Sequence, residues 1–267
     1  MPALPRRTDG HGNSVSDQPN QKLVWITGAG KGIGRAIAVN MSARGWRVAA
    51  SARTEKDLQS LQAEAAGDVY LYPLDVTDEQ ASRGTIEAIE RDVGKIELAI
   101  LNAGSHNAEP GISLSVENTR KLMEVNFMGT IHGISPLIER FVARKSGHIA
   151  VVASLAGYRG LPTAAAYGAS KAALINLCES LRPELEAAGV TLSMINPGFV
   201  ETPLTDKNEF DMPFLMPADK AADVIVRGLE DRRFEISMPT RFALIMKLLR
   251  ILPSPLFFAL TRRMIGS

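Results

Sequence analysis

Tyr167 and Lys171, in "TAAAYGASKAAL", stand four residues apart in a stretch with helical character, so they share one face a turn from each other. A phenol with an ordinary pKa of about 10 exchanges a proton poorly near neutrality. An ammonium beside it stabilises the phenolate and brings the group toward acid/base range. On its own this spacing is equally that of a plain amphipathic helix. Two further polar residues add to the pair, though either alone would equally be structural, capping a strand end or bonding backbone. Ser154 closes the apolar run "IAVVAS", at the end of a predicted strand, where open parallel sheets place their ligands. Asn126 lies among apolar neighbours in "LMEVNFMGT", a helical position that its propensity disfavours.

A second group concerns phosphate. "TGAGKGIGR", residues 27–35, lies between the apolar run "LVWI" and the helix-like "AIAVNMSARG". A glycine-rich turn from a first strand into a helix lets backbone approach a pyrophosphate at the positive end of the helix dipole. The spacing Gly28-x-x-x-Gly32-x-Gly34 departs from G-x-G-x-x-G, and its position in the chain carries the reading more than its spacing does. An acid that would bond a ribose 2′-hydroxyl is expected after the second strand, yet "AASARTEKD" has Ala52 and Arg53 there. Arg53 and Lys31 suit a 2′-phosphate instead, so NADP(H) is expected over NAD(H).

These residues need a scaffold. From Lys22 the chain alternates apolar runs ("KLVWITG", "WRVAASAR", "DVYLYPLDV", "IELAILNAG", "GHIAVVAS", "VTLSMINPG") with helix-like segments, including one long helix through "TRKLMEVNFMGTIHGISPLIERFVARK". Near-continuous apolar strands in β-α alternation imply an α/β fold: a single-domain, Rossmann-type, doubly wound parallel sheet with helices on both faces. Residues 22–267 read as one catalytic domain. Residues 1–21, rich in Pro, Gly, Ser, Asn and Asp without an apolar run, read as a disordered lead-in and not a secretory signal. The 267 residues carry a net charge of +1, which gives no argument for nucleic acid. One cysteine, Cys178, excludes an internal disulfide framework and suits a reducing, cytoplasmic setting; within "KAALINLCESL" it reads as a small buried apolar residue. No metal site is expected.

The ordered set "TGAGKGIG", "LDVTD", "LNAG", "VNFMG", "VVASLAG", "YGASK" and "INPGFVET" resembles the short-chain dehydrogenases/reductases of single-domain type, and spans Thr27 to Thr202. That resemblance implies roles. Gly28, Gly32, Ile33 and Gly34 would cradle phosphates, Asp75 and Val76 would meet the adenine, and Asn102, Ala103 and Gly104 would pass the adenine ribose. Pro197, Gly198, Val200 and Thr202 would flank the nicotinamide. Tyr167 would be the general acid/base, Lys171 would tune it and hold the nicotinamide ribose, Ser154 would orient a substrate carbonyl, and Asn126 would hold a water in a proton relay. Lys31 and Arg53 resemble those of the NADP-preferring carbonyl reductases. The implied activity is NADPH-dependent reduction of a ketone or aldehyde, with oxidation of an alcohol as the alternative. A sugar-nucleotide epimerase would add a larger C-terminal domain, and a non-catalytic binding protein would carry a damaged tetrad.

An apolar carbonyl compound is the expected substrate. Residues 203–217 read as a lid whose Phe199, Phe210, Met212, Phe214, Leu215 and Met216 supply an apolar inner surface, with Leu155 and Tyr158 adding to the wall. His106, in "AGSHNAEPG", reads as an exposed loop histidine. From Arg232 onward the chain has seven Lys/Arg against one acid, Glu235. Within residues 240–265, "RFALIMKLLRILPSPLFFALTRRM" is apolar, but Lys247, Arg250, Pro253 and Pro255 break a transmembrane span. Its basic amphipathic character fits a subunit interface, a pocket lid or an anionic membrane surface, and packing or lid is preferred. A homodimer or homotetramer is expected.

Overall fold

The computed structural model describes residues 21–107, 111–205 and 212–263. Residues 1–20 of the lead-in expected over 1–21, Phe210 in the lid and residues 264–265 lie outside the described residues.

Seven strands run β1 Leu23–Thr27, β2 Arg47–Ser51, β3 Val69–Leu71, β4 Leu98–Leu101, β5 His148–Val152, β6 Thr191–Pro197 and β7 Glu235–Met238. Helices α1 Gly32–Ala43, α2 Glu55–Glu64 and α3 Glu79–Asp92 follow the first three strands, and α4 Val116–Met123 and α5 Gly129–Ala143 follow the fourth. Then come α6 Ala165–Ala187, α7 Ala218–Glu230, α8 Thr240–Ile251 and α9 Ser254–Arg263. The sheet order is β3-β2-β1-β4-β5-β6-β7, and every neighbouring pair is parallel. The winding reverses between β1 and β4, so their carboxyl ends open a crevice.

Strand alternation feeds two cores. In β1, Leu23 and Trp25 face one side with Ile86, Phe141 and Leu174, while Val24 and Ile26 face the other with Ile37, Leu58 and Ile225. Burial on both faces explains why these strands read as unbroken apolar runs. Trp25, fully buried, donates its indole N–H to Ser51 Oγ at 3.0 Å, which satisfies the polar atom of the largest core side chain.

Two local features differ from the sequence reading. The expected long helix is divided by a π-helical stretch, Glu124–Met128, between α4 and α5. β7 adds a seventh strand; "EISM" has only four residues and one begins with a charge, too weak a pattern to stand out from its flanking arginines. Among the described residues no helix is long and apolar enough to cross a membrane.

Candidate active site

Gly28 (φ +67°) and Gly32 (φ +54°) hold the left-handed backbone that the turn from β1 into α1 demands. A Cβ at Gly28 would fall 2.9 Å from Ala103 Cα and from Asn102 Nδ2, and one at Gly32 would fall 3.1 Å from Thr202 Cγ2. Asn102 clamps the turn from the end of β4. Its Nδ2 donates to the Thr27 carbonyl at 3.0 Å and its backbone N–H to Thr27 Oγ1 at 3.0 Å. Gly34 stands behind the turn: a Cβ there would strike the Gly28 carbonyl and the Asn102 amide. It therefore brings α1 close to the turn and does not line the cleft.

That cleft, of about 540 Å³, runs along the carboxyl ends of the strands. Gly28, Lys31, Gly32, Ile33, Arg53, Asp75 and Val76 line it beyond β1, β2 and β3. Asn102, Ala103, Gly104, Ser154, Tyr167, Lys171, Pro197, Gly198, Val200 and Thr202 line the rest. One charged lining residue escaped the sequence reading. Asp57, on α2, pairs with Lys31 at 3.3 Å, so an acid does enter the region where "AASARTEKD" showed none at the strand end. Gly30 permits this approach, since a Cβ there would lie 3.0 Å from Asp57 Cβ.

The four chemistry-bearing residues meet where β5, α6 and the π-helical stretch converge. Lys171 is buried, and its Nζ donates to the Val152 carbonyl at 2.9 Å. The Ser154 hydroxyl donates to the Pro197 carbonyl at 3.3 Å and accepts from the Ala156 N–H at 3.2 Å, and Lys171 Nζ lies 5.8 Å from the Tyr167 ring centre. Asn126, wholly buried, accepts from the Ser105 N–H at 2.7 Å through Oδ1. Its Nδ2 donates to the Ser105 carbonyl and to Ser170 Oγ, both at 3.0 Å. The π-helical turn thus spends its irregularity on fixing the loop after β4 beside α6.

Burial dominates the proton affinities. It pulls the Lys171 ammonium down to about 8. It raises the Tyr167 phenol above its ordinary value, and the Ser154 side chain opposes the rise. The lowering expected from a neighbouring ammonium is outweighed here, because desolvation penalises phenolate and ammonium alike. Cys178 is buried and its thiol is pushed up to about 12, as befits an inert core residue.

His106 is half-buried, and its ring meets Tyr167 edge-on at 4.5 Å between centres. The exposed loop position expected of it is not the one it takes; Asn126 holds the preceding Ser105 and so draws the loop inward. The expected wall residues lie outside the cleft lining. Leu155 is buried beneath Gly198. The Tyr158 hydroxyl goes instead to Glu235, and accepts from Asn196 Nδ2 at 3.3 Å. Phe199 and Phe214 stack on Phe242 of α8, at 5.5 and 6.0 Å, and a Cβ at Gly198 would lie 2.7 Å from the same ring. Phe242 therefore roofs this end of the site. No periodicity in the sequence marks it apart from its apolar neighbours.

A glycine turn at the crevice of a parallel sheet, with a Ser-Tyr-Lys group beside it, defines an α/β dinucleotide-dependent enzyme. Residues 22–212 match the family model described as short chain dehydrogenase. An uncharacterised oxidoreductase of Myxococcus xanthus (strain DK1622) is 39% identical over 246 residues, 91% of this chain and 97% of that protein. A short-chain dehydrogenase/reductase from Burkholderia phymatum, solved in complex with NAD, superposes with a TM-score of 0.78 at 25% identity, covering 86% of this chain and 92% of that one. A short-chain dehydrogenase from Sphingobium yanoikuyae in complex with NADPH shares the fold, with a TM-score of 0.74 at 23% identity over 87% and 97% of the two chains. The chain belongs to the short-chain dehydrogenase/reductase family of oxidoreductases.

Proposed function

We propose that the protein uses a nicotinamide cofactor, NADP(H) in preference to NAD(H), to reduce an apolar ketone or aldehyde. The cleft fits such a cofactor: blocked Cβ positions at Gly28 and Gly32 leave room only for bare backbone against a phosphate. Lys31 and Arg53 add cationic character at the same end, and the Burkholderia and Sphingobium relatives were solved with NAD and NADPH. When bound, the cofactor supplies or accepts the hydride.

The protein's own residues handle the proton. Ser154 and Tyr167 offer two hydroxyls that converge on one oxygen of the substrate, polarising the carbonyl. Tyr167 gives that oxygen its proton, and its raised affinity keeps the phenol protonated near neutrality, as reduction requires. Lys171, cationic below about pH 8, stabilises the phenolate left behind. Asn126 keeps the Ser105–His106 loop against this corner.

The observation that carries the reading is that Ser154, Tyr167 and buried Lys171 line one cleft with the glycine turn. The test is initial rates with NADPH and with NADH across aldehydes and ketones graded from short to long chain. NADPH turnover rising with chain length is expected. Preference for NADH with alcohols would overturn it in favour of oxidation.

A further inference from the structure

Helices α8 and α9 do two things at once. The inner face of α8 seals the site: Ala243 and Met246 are buried in the core, and Phe242 stacks on the lid. Three ties hold the helix down. Lys247 Nζ pairs with Glu235 at 2.5 Å, Arg159 donates to the Leu249, Arg250 and Leu252 carbonyls at the end of α8, and the Arg159 guanidinium lies 4.2 Å from the Phe257 ring centre on α9.

The outer face has no such partners. Leu244, Ile245, Leu248 and Ile251 follow the i, i+1, i+4, i+7 stripe of one helical face, and they are 63, 44, 58 and 77% exposed. On α9, Leu256, Phe258 and Leu260 are also exposed, so seven of the thirteen exposed large apolar side chains among the described residues fall on these two helices. A clustered surface of this kind marks a contact site.

Charge selects the occupant. Between Thr240 and Arg263 the sequence has five Lys/Arg and no acid. Lys247 and Arg250 are matched by Glu235 and Glu179 from neighbouring elements, whereas Arg241 and Arg262 make no ion pair among the described residues. A symmetric contact with a second copy would bring the unpaired Arg241 and Arg262 toward a surface whose neighbouring carboxylates, Glu235 and Glu179, are already matched. An anionic bilayer supplies the missing negative charge and accepts the leucine-rich face in the same plane. The 12 residues of α8 and 10 of α9 are about 18 and 15 Å long, too short to span a hydrocarbon core of about 30 Å. They are suited to lying in the interface.

We propose that the outer face of α8–α9 docks the protein on an anionic lipid surface, with the roof of the site held at the membrane. Docking is independent of the catalytic reading above. The consequence that an apolar carbonyl substrate enters from the lipid beneath α8 rests on that reading.

The test is flotation of the full chain with vesicles of phosphatidylcholine alone and with about one-third phosphatidylglycerol, at low and high salt, with sedimentation of the lipid-free protein alongside. Binding is read without turnover, so failure of the reductase reading leaves this result intact. We expect flotation with the anionic vesicles, weakened by salt, and a loss of tenfold or more in Leu248→Glu/Ile251→Glu. Arg241→Gln/Arg262→Gln, which leaves the apolar face untouched, should lose severalfold, and thermal melts confirm that each variant is folded. Absence of flotation overturns the proposal, as does equal binding to neutral vesicles. An oligomer dissolved by Leu248→Glu/Ile251→Glu without vesicle binding would assign the face to a second copy instead.

Discussion

The floor of the cleft and its roof depart from ordinary burial in opposite directions. On the floor, Asn126, Ser154 and Lys171 are polar or charged and buried. On the roof, Leu248 and Ile251 are apolar and exposed. Each arrangement is costly to a protein that has only to fold. The floor recovers its cost internally: Asn126 is satisfied by Ser105 and Ser170, and Lys171 by Val152. The roof finds no comparable satisfaction within the described chain. Chemistry is thus built into a closed polar network, and contact with the surroundings into an open apolar one.

The sharpest way to break this contrast is at the floor. Tyr167→Phe removes one hydroxyl and no packing, so kcat is expected to fall about a thousand-fold, within the range of general acid catalysis. Cofactor affinity, measured by fluorescence titration, should stay near wild type. Unchanged turnover would show that the floor is merely structural.

Much of that floor was readable in the sequence, because its residues are local. Tyr167 and Lys171 share one helix, the glycine turn is one segment, and β-α alternation repeats six times before fading at short β7. What escaped was set by tertiary approach. Asp57 reaches the cleft only because Gly30 has no side chain. His106 meets Tyr167 through a loop held by Asn126, twenty residues further on. Tyr158 seemed pocket-facing by its nearness to Ser154, yet its hydroxyl is claimed by Glu235, seventy-seven positions away. Phe242 gains its place from packing and not from any pattern of its own.

Proton affinity sharpens the contrast next. Lys171 loses its charge near pH 8, well below the ordinary lysine value of about 10.4, because it is buried. Reductive kcat/KM should therefore hold below pH 8 and fall about tenfold for each unit well above it, while the Tyr167 phenol remains protonated. Lys171→Arg, if it folds, should push the alkaline limb upward. A flat profile between pH 7 and 9 would contradict the assignment of Lys171.

A tie between the two regions supplies a third test. Tyr158 and Lys247 both donate to Glu235, joining the segment after Ser154 to α8 through β7. Burial works to raise the Glu235 carboxyl, but the hydrogen bonds from Lys247 and Tyr158 outweigh it and hold it below its ordinary value. A depressed carboxylate adds stability that is fully present above its unfolded pKa and lost as pH falls through the lower folded one. Tyr158→Phe should cost about 1–3 kcal/mol in urea unfolding at pH 7, and less at acid pH below the ordinary carboxylate range, as Glu235 takes up its proton. The KM of a long-chain substrate should rise with it as α8 loosens. An equal cost at both pH values would mean that Tyr158 acts through packing alone.

The smallest effect lies at the far end of the floor, where an exposed charge tunes the site. Lys31 and Asp57 are 65 and 26% exposed at the side chain, and a pair in such solvent is worth about 0–1 kcal/mol. Lys31 can therefore leave Asp57 for a phosphate at little cost, while the Asp57 carboxylate continues to repel that phosphate. Asp57→Asn removes the repulsion and should lower the KM for NADPH severalfold. Arg53→Ala should raise it by a similar factor, and neither should move the KM for NADH as far. The reverse pattern, with Asp57→Asn weakening NADH and sparing NADPH, would make Asp57 the acid that bonds a ribose 2′-hydroxyl. The cofactor preference would then follow a side chain brought in from α2 in place of the arginine at the strand end.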